Sequence, residues 1–503
     1  KTMNASWSHH YDVIKKISSL SGQWPYQRPI MRLFCVILVT LSTISMIIPQ
    51  IAKFIRCDGN LQCIFETMTS YMLTTVTLVK LYTCYFNRCK MKILIDQLFI
   101  DWNELETPEE YEIMKKYAKN GRRYSLGYSL YCYFAVYVFM SMSLIPQILD
   151  VVLPLNESRP ILPTYPGYYF VDERKYFFYI FSHAIMAWEI AMTGIVTHDC
   201  MLLTYIEHVC SIFALVGFRF ERLTYKHNDA VRILHFYTSD MYHKRIAFFV
   251  YTHRKALKFA QLIEDTFSLT LAVQIALNTI MISITLLQVT QQQAGMLEMI
   301  RYVMYVIGQL IHLFCLSFEG QKLIDHSLQI RNKIYKSLWY ETSPKLQKML
   351  LFVMQKSLRP IFLSAGKIYI FSMENFTMIV QTSMSYFTVL SSLMAKFITC
   401  DKDLPCIFET MTSLMLAIMS LVKLYTCYLN RYKQCEDKFK DLRKHYIKAK
   451  DQNEKSSGLP ITVLFTCKFY TEMKLLVDEA LGDKLAMKPV SIASTLKKRR
   501  QQR

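Results

Sequence analysis

The chain has 503 residues, of which 52% are hydrophobic, 14% aromatic and only 19% charged, a balance far from disorder and too apolar for an ordinary charged globular surface. The formal net charge of +20 raises nucleic acid as a partner, but the basic residues lie in segments between apolar runs and form no continuous basic face, so no nucleic-acid role is expected. With only 13 glycines and no Gly-x-x-x-x-Gly-Lys-Ser/Thr loop, dinucleotide Gly fingerprint, His-Glu-x-x-His or Gly-x-Ser-x-Gly motif, the chain reads as a non-enzyme without cofactor or metal.

Residues 1–30 are polar and include Trp7, His9, His10, Trp24 and Pro25. No secretory signal is visible before the first apolar run, which is expected to act as an uncleaved anchor. The chain starts on Lys1 instead of Met, and the expectation is that a few residues before it are missing.

Apolar runs near the roughly 20 residues that cross a bilayer fall at about 31–51, 63–86, 125–149, 177–206, 267–289, 300–318 and 367–393. The predicted fold is all-α: a polytopic bundle of seven transmembrane helices. Lys and Arg number five up to residue 32, eight in 87–124, nine in 207–266 and nine in 319–367, against two in 52–62, three in 150–176 and one in 290–301. That asymmetry places the N-terminus in the cytoplasm and residue 394 outside. A G-protein-coupled receptor has the opposite orientation, and its Asp-Arg-Tyr and Asn-Pro-x-x-Tyr triplets are missing.

In the predicted outer loops, Cys57 and Cys63 are close enough in sequence to pair, with free thiols as the alternative; the other cysteines are scattered and suggest no disulfide scaffold. Asn156-Glu157-Ser158 is a glycosylation sequon facing outside, whereas Asn4 and Asn375 head sequons expected to stay bare. Among intramembrane charges, Lys80 is placed to snorkel to the cytoplasmic interface and Glu66 sits near the outer end of its span. His198 and Asp199 suggest a metal or proton relay with Glu189, but adjacent helical residues point about 100° apart, and interhelical hydrogen bonding or exposure is favoured.

Residues 360–394 (PIFLSAGKIYIFSMENFTMIVQTSMSYFTVLSSLM) combine an apolar run with Glu374, Asn375, Gln381, Thr382, Ser383, Ser385, Ser391 and Ser392. Such groups gain nothing against lipid and belong inside a bundle or along a water-filled conduit; small hydroxylated residues also serve ordinary helix packing. Lys367 and Glu374 are seven residues apart, hence two turns along nearly the same face of the helix, and can act as an acidic vestibule or an ion pair.

Residues 52–88 recur at 395–431 with 27 identities in 37 positions. A single copy at a spacing of 343 residues is a duplication and not a solenoid period; it reads as a complete protein joined to a fragment of a closely similar neighbour, an artefactual extension. An eighth span at 405–428 is topologically possible, and the end at Lys497-Lys498-Arg499-Arg500 is suited to weak binding of anionic lipid.

Pro360, Ala365-Gly366-Lys367, Glu374-Asn375-Phe376 and Ser385-Tyr386-Phe387-Thr388-Val389-Leu390 resemble the C-terminal signature of the insect odorant receptor family, a likeness extending over roughly residues 10–394. The resemblance implies inverted topology and an odorant-gated, non-selective cation channel in the plasma membrane of olfactory sensory neurons, a hetero-tetramer with an obligate co-receptor. It divides the chain into a cytoplasmic N-terminus (1–30), helices one to six with the ligand site (31–318), a cytoplasmic anchor (319–366), pore helix seven (367–394), a partial duplicate (395–440) and a basic non-family tail (441–503). Within the pore helix it implies gate positions at Val389 and Leu393, with Ser392 polar beside them, and motif residues Gly366, Lys367, Glu374, Phe376, Ser385 and Tyr386. In the anchor, residues 344–358 carry an apolar stripe for a partner helix. The ligand site falls on Met68, Tyr71, Met72, Phe139, Met142, His183, Trp188, Tyr302 and Tyr305, an aromatic and Met-rich wall suited to a small volatile odorant. A gustatory-type channel, expected to carry a Gln in the pore end after its Thr-Tyr, and a receptor signalling through cytoplasmic partners are the alternatives; Ser385-Tyr386 is followed by no such Gln.

Overall fold

The computed structural model describes residues 8–58, 60–222, 239–290, 295–337 and 339–399. The eighth span at 405–428, most of the duplicate and the tail at 441–503 lie outside the described residues. Eleven helices are present among those described: α1 Asp12–Leu20, α2 Pro29–Ile55, α3 Leu61–Phe86, α4 Arg88–Asn103, α5 Pro108–Ser141, α6 Ile145–Val152, α7 Phe177–Arg222, α8 Ser239–Thr290, α9 Met296–Lys336, α10 Pro344–Lys356 and α11 Met373–Thr399. A two-stranded antiparallel hairpin, β1 Ser364–Ala365 and β2 Tyr369–Ile370, precedes α11. The helices α2, α5 with α6, α7, α8 and α9 are each long and apolar enough to cross a membrane. At 26 and 27 residues, α3 and α11 have the length to do so.

The long helices run up and down between two ends. At one end the turn from α2 to α3 is closed by the Cys57–Cys63 disulfide, with Cα atoms 5.6 Å apart, so of the two alternatives the pair is formed. The 153–176 segment folds over this end. Tyr168 N–H donates to Pro49 O at 2.9 Å, the Arg56 guanidinium stacks 3.7 Å above the Tyr168 ring, and Arg301 of α9 donates to the carbonyls of Pro163 and Thr164. The other end carries α1, α4, α10 and the hairpin.

Helix α7 is the axis. Every residue from Gly194 to Phe213 is buried, which is why this segment reads apolar on all sides instead of on one stripe; α5, α9, α8, α2 and α3 pack around it. Its buried charged side chains are paired, while His198 Nε2, Tyr205 Oη and His208 Nδ1 are buried without a partner. Arg219 makes two hydrogen bonds to the Glu110 carboxylate at 2.7 and 2.8 Å, and Glu207 takes Lys322 of α9. His208 binds Asp101 of α4 at 2.9 Å, and Lys255 of α8 reaches the same carboxylate at 2.6 Å. Burial pushes the Asp101 carboxyl up, but the hydrogen bonds and charges of His208 and Lys255 outweigh it and hold the group below the usual carboxylate range.

Helix α11 does not begin at 367. Gly366 and Lys367 occupy the hairpin turn with φ of 63° and 60°, a left-handed region that suits Gly and is uncommon for Lys. Lys367 and Glu374 thus lie on different elements, and the expected two-turn relation on one helix face is overturned. The hairpin is pinned to α8, where Ser364 hydrogen-bonds Glu264 and Gly366 N–H reaches Ser268 O at 2.9 Å. It also presses against α9 at Gly320: a Cβ there would lie 2.4 Å from Phe371 O. The helix continues unbroken through Met394 to Thr399.

Two outcomes follow from this packing. Gly320→Ala forces the hairpin off α9 and costs about 1–3 kcal/mol, to be read as a lowered thermal midpoint of the detergent-solubilised protein. Asp101 has a depressed folded pKa, so its contribution is fully present above the ordinary carboxylate range and lost as pH falls through the folded value; Asp101→Asn should lower the midpoint at neutral pH and flatten its acid limb.

Candidate functional site

Three features converge within the bundle: a polar knot at its centre, a packed aromatic cluster toward the disulfide end, called the chamber for its proposed role, and an unburied stripe on α11.

The knot is built on Lys80 and Asp199, whose side chains are each 1% exposed. The Lys80 ammonium lies 2.7 and 2.8 Å from the two Asp199 oxygens. Lys80 does not snorkel to an interface; a carboxylate on the neighbouring helix α7 holds it within the core. Tyr128 of α5 donates to Asp199 Oδ2 at 2.8 Å and meets His312 Nδ1 of α9 at 2.6 Å. With its proton spent on Asp199, the Tyr128 hydroxyl accepts from His312, which leaves His312 Nε2 to accept from the Gln274 amide of α8. His198 Nδ1 contacts Asp199 Oδ1 at 2.9 Å, while its Nε2 is buried without a partner. Five helices thus meet at one ion pair. Interhelical hydrogen bonding is the outcome for Asp199, to Lys80 and Tyr128, whereas His198 bonds only to Asp199 on its own helix; Glu189 takes no part in the knot, and no cluster among the described residues could hold a metal.

The chamber gathers only part of the predicted ligand set. Trp188 and, at its margin, Phe139 pack with Met46, Met140, Tyr165, Leu73 and Tyr169. His183 joins through Tyr169 Oη at 3.0 Å and Ser45 Oγ at 3.1 Å. Met142 is buried in the short 3-10 turn after α5. Tyr302 and Tyr305 turn elsewhere, Tyr302 Oη donating to Glu66 Oε1 at 2.7 Å and Tyr305 Oη to Met281 Sδ at 3.2 Å. Tyr71 is 43% exposed on the outer surface of α3, and Met68 and Met72 are half-buried. Sequence reasoning missed Arg301, which stacks 4.6 Å above the Phe139 ring, and the wall given by Tyr165 and Tyr169. The aromatic run Tyr165 to Phe170 was the available signal. Trp188 Nε1 is buried with no acceptor, a donor open to a ligand oxygen.

On α11, Ile379 and Ser383 are buried toward α8 and α9, and Phe376 meets Phe314 edge-on at 5.8 Å. Glu374, Thr377, Gln381, Ser385, Thr388 and Ser392 are exposed, a polar stripe at helical spacing. Several of its hydroxyls bond back to their own helix, Ser385 to Gln381 O and Thr388 to Ser385 O. Tyr386 and Val389 flank the stripe half-buried; the Leu393 side chain lies outside those described. Asn156 is exposed in the 153–176 segment.

The knot predicts an asymmetry between variants. Lys80→Met leaves Asp199 charged and buried and should cost roughly 3–5 kcal/mol, whereas Lys80→Met with Asp199→Asn should recover a large part of it; thermal unfolding of the purified proteins measures both.

The 7tm Odorant receptor family profile matches residues 60–384. Odorant receptor 9a of Drosophila melanogaster is 25% identical over 339 residues, 66% of this chain and 81% of that protein. Odorant receptor 13a of the same species is 24% identical over 214 residues, spanning 40% of this chain and half of that receptor. The Odorant receptor coreceptor of Aedes aegypti is 26% identical over 157 residues, 30% of this chain and 32% of that protein. Among solved structures, the insect olfactory receptor OR5 of Machilis hrabei in complex with eugenol superposes with a TM-score of 0.59 at 14% identity, covering 77% of this chain and 100% of that one, a likeness of fold. With the profile matched over more than half its length and the same helical membrane bundle, the chain belongs to the odorant receptor family, a class of olfactory transmembrane receptors and not of enzymes.

Proposed function

We propose that this receptor is a subunit of an odorant-gated, non-selective cation channel, with its N-terminus in the cytoplasm of olfactory sensory neurons and a co-receptor as its partner in a hetero-tetramer. The observation that carries the reading is the exposed stripe on α11. Six polar side chains in line on a membrane helix, uncovered within the subunit, are costly against lipid and are stabilised by water. Assembly around an axis facing that stripe supplies a conduit, with Val389 and Leu393 as apolar gate rings and Ser392 beside them. The acidic Glu374 at one mouth favours cations.

The odorant enters the aromatic chamber. A small apolar molecule gains affinity there from burial against Trp188 and Phe139, and an ether or carbonyl oxygen accepts from Trp188 Nε1. Glycan addition at Asn156 fits the same orientation, with the disulfide end outside, where oxidising conditions favour the Cys57–Cys63 bond.

Whole-cell current during volatile application, with and without co-receptor, tests this. Odorant-evoked cation current that requires co-receptor, changes ion selectivity in Gln381→Leu or Val389→Ala, and shifts odorant potency in Trp188→Phe is the expected result. Unchanged selectivity in the α11 variants, with surface expression verified, would move the pore elsewhere.

A further inference from the structure

Most cations buried in this bundle are matched: Lys80, Arg219, Lys255 and Lys322 each hold a carboxylate. One cluster is not. Arg28 and Arg32 stand one turn apart at the start of α2, and Lys92 of α4 lies 5.3 Å from the Tyr26 ring. The Arg88 side chain ties the pieces together by donating to Pro25 O at 3.0 and 2.9 Å. Among the described residues none of these four cations lies within 4.0 Å of a carboxylate; the nearby acid is Asp96, which lies one turn along α4 from Lys92 and accepts from the Tyr26 hydroxyl. The Arg32 guanidinium is held 5.1 Å above the Tyr85 ring, with its Nε and Nη1 atoms buried without an acceptor, so a ligand would reach it through Nη2.

The frame around this collar is apolar and uncovered. Ile30 is 85% exposed, Phe86 77%, and Phe34 and Ile93 over half. Four cations against one acid, beside exposed aliphatic and aromatic side chains at the junction of two membrane helices with a surface helix, match a molecule that is anionic at one end and hydrocarbon at the other. A water-soluble phosphate would leave the apolar frame bare, and a zwitterionic lipid offers the same phosphate but brings its own headgroup cation up to four positive charges. We infer that the junction of α2, α3 and α4 is a seat for an anionic phospholipid of the inner leaflet, whose phosphate is held by Arg28, Arg32 and Lys92 and whose chains lie along α2 and Phe86. The side of the membrane rests on the orientation proposed above; the lipid class rests on the collar.

The test is binding of phosphatidylserine to the purified full chain, measured by native mass spectrometry, with phosphatidylcholine and soluble glycerophosphoserine as comparison probes. Each lost charge removes roughly fivefold in affinity, so Arg28→Gln/Arg32→Gln/Lys92→Gln should weaken phosphatidylserine on the order of a hundredfold. The same charge change at Lys115, Lys119 and Arg123 should leave it alone. Arg28→Gln/Lys92→Gln keeps the Tyr85 stack intact and should still lose more than tenfold, so misfolding of the triple variant does not decide the matter. Equal binding by the collar variants, equal binding of phosphatidylcholine, or displacement by glycerophosphoserine as effective as by lipid would each overturn the seat. The readout needs no current, and a glycan on Asn156 reports orientation separately, so failure of the lipid seat is distinguishable from failure of the channel reading.

Discussion

An ammonium and a carboxylate, each almost fully removed from solvent within a membrane bundle, set the terms for the rest of this receptor. Neither Lys80 nor Asp199 is tolerable alone at that depth, and together they are stable only because the remaining lone pairs are met by Tyr128 and His198. Meeting them requires α3, α5 and α7 to be in one register, and the Tyr128–His312–Gln274 chain extends the requirement to α9 and α8. Apolar packing alone would allow these helices to slide, since lipid and side chain are equally apolar; directional polar contacts do not.

The knot also lies where the bundle changes character. Toward the disulfide end stands the aromatic chamber with its unspent Trp188 donor. Toward the other end α7 is ringed by further ion pairs, and the hairpin that launches α11 is clamped between α8 and α9 through Glu264, Ser268 and Gly320. In the proposed channel, a ligand that shifts α7 or α9 by a fraction of a turn acts on helices that also carry the pore helix, through rigid polar joints. In that proposed reading the clamp is the part of the fold that would carry motion from chamber to stripe.

Much of this was legible in the residues. The order of the long helices came from apolar runs, but their limits did not, since α8 spans Ser239–Thr290 against an apolar run at 267–289 and α9 spans Met296–Lys336 against 300–318; the last thirty or so residues of the family region carried a motif specific enough to name the family. The polar rhythm of α11 could be counted from the chain. What was misread is equally instructive. Lys80 looked like an interfacial lysine because its partner is 119 residues away, and sequence gives no measure of which distant carboxylate faces it. Gly366 and Lys367 looked helical because the run around them is apolar, yet the two left-handed φ values that make the hairpin follow from contacts with α8.

Hydrophobic length and charge asymmetry are local sums over the chain, and so the sequence by itself determined that this is a helical membrane receptor of this family. The tertiary structure alone decided which charges are paired, that Tyr302 and Tyr305 bond to Glu66 and Met281 instead of entering the chamber, that Arg301 stacks at its edge, and that the polar face of α11 is the uncovered one. Those outcomes depend on rotation and register between helices, which are set by mutual satisfaction of buried polar groups, a property that no single segment contains.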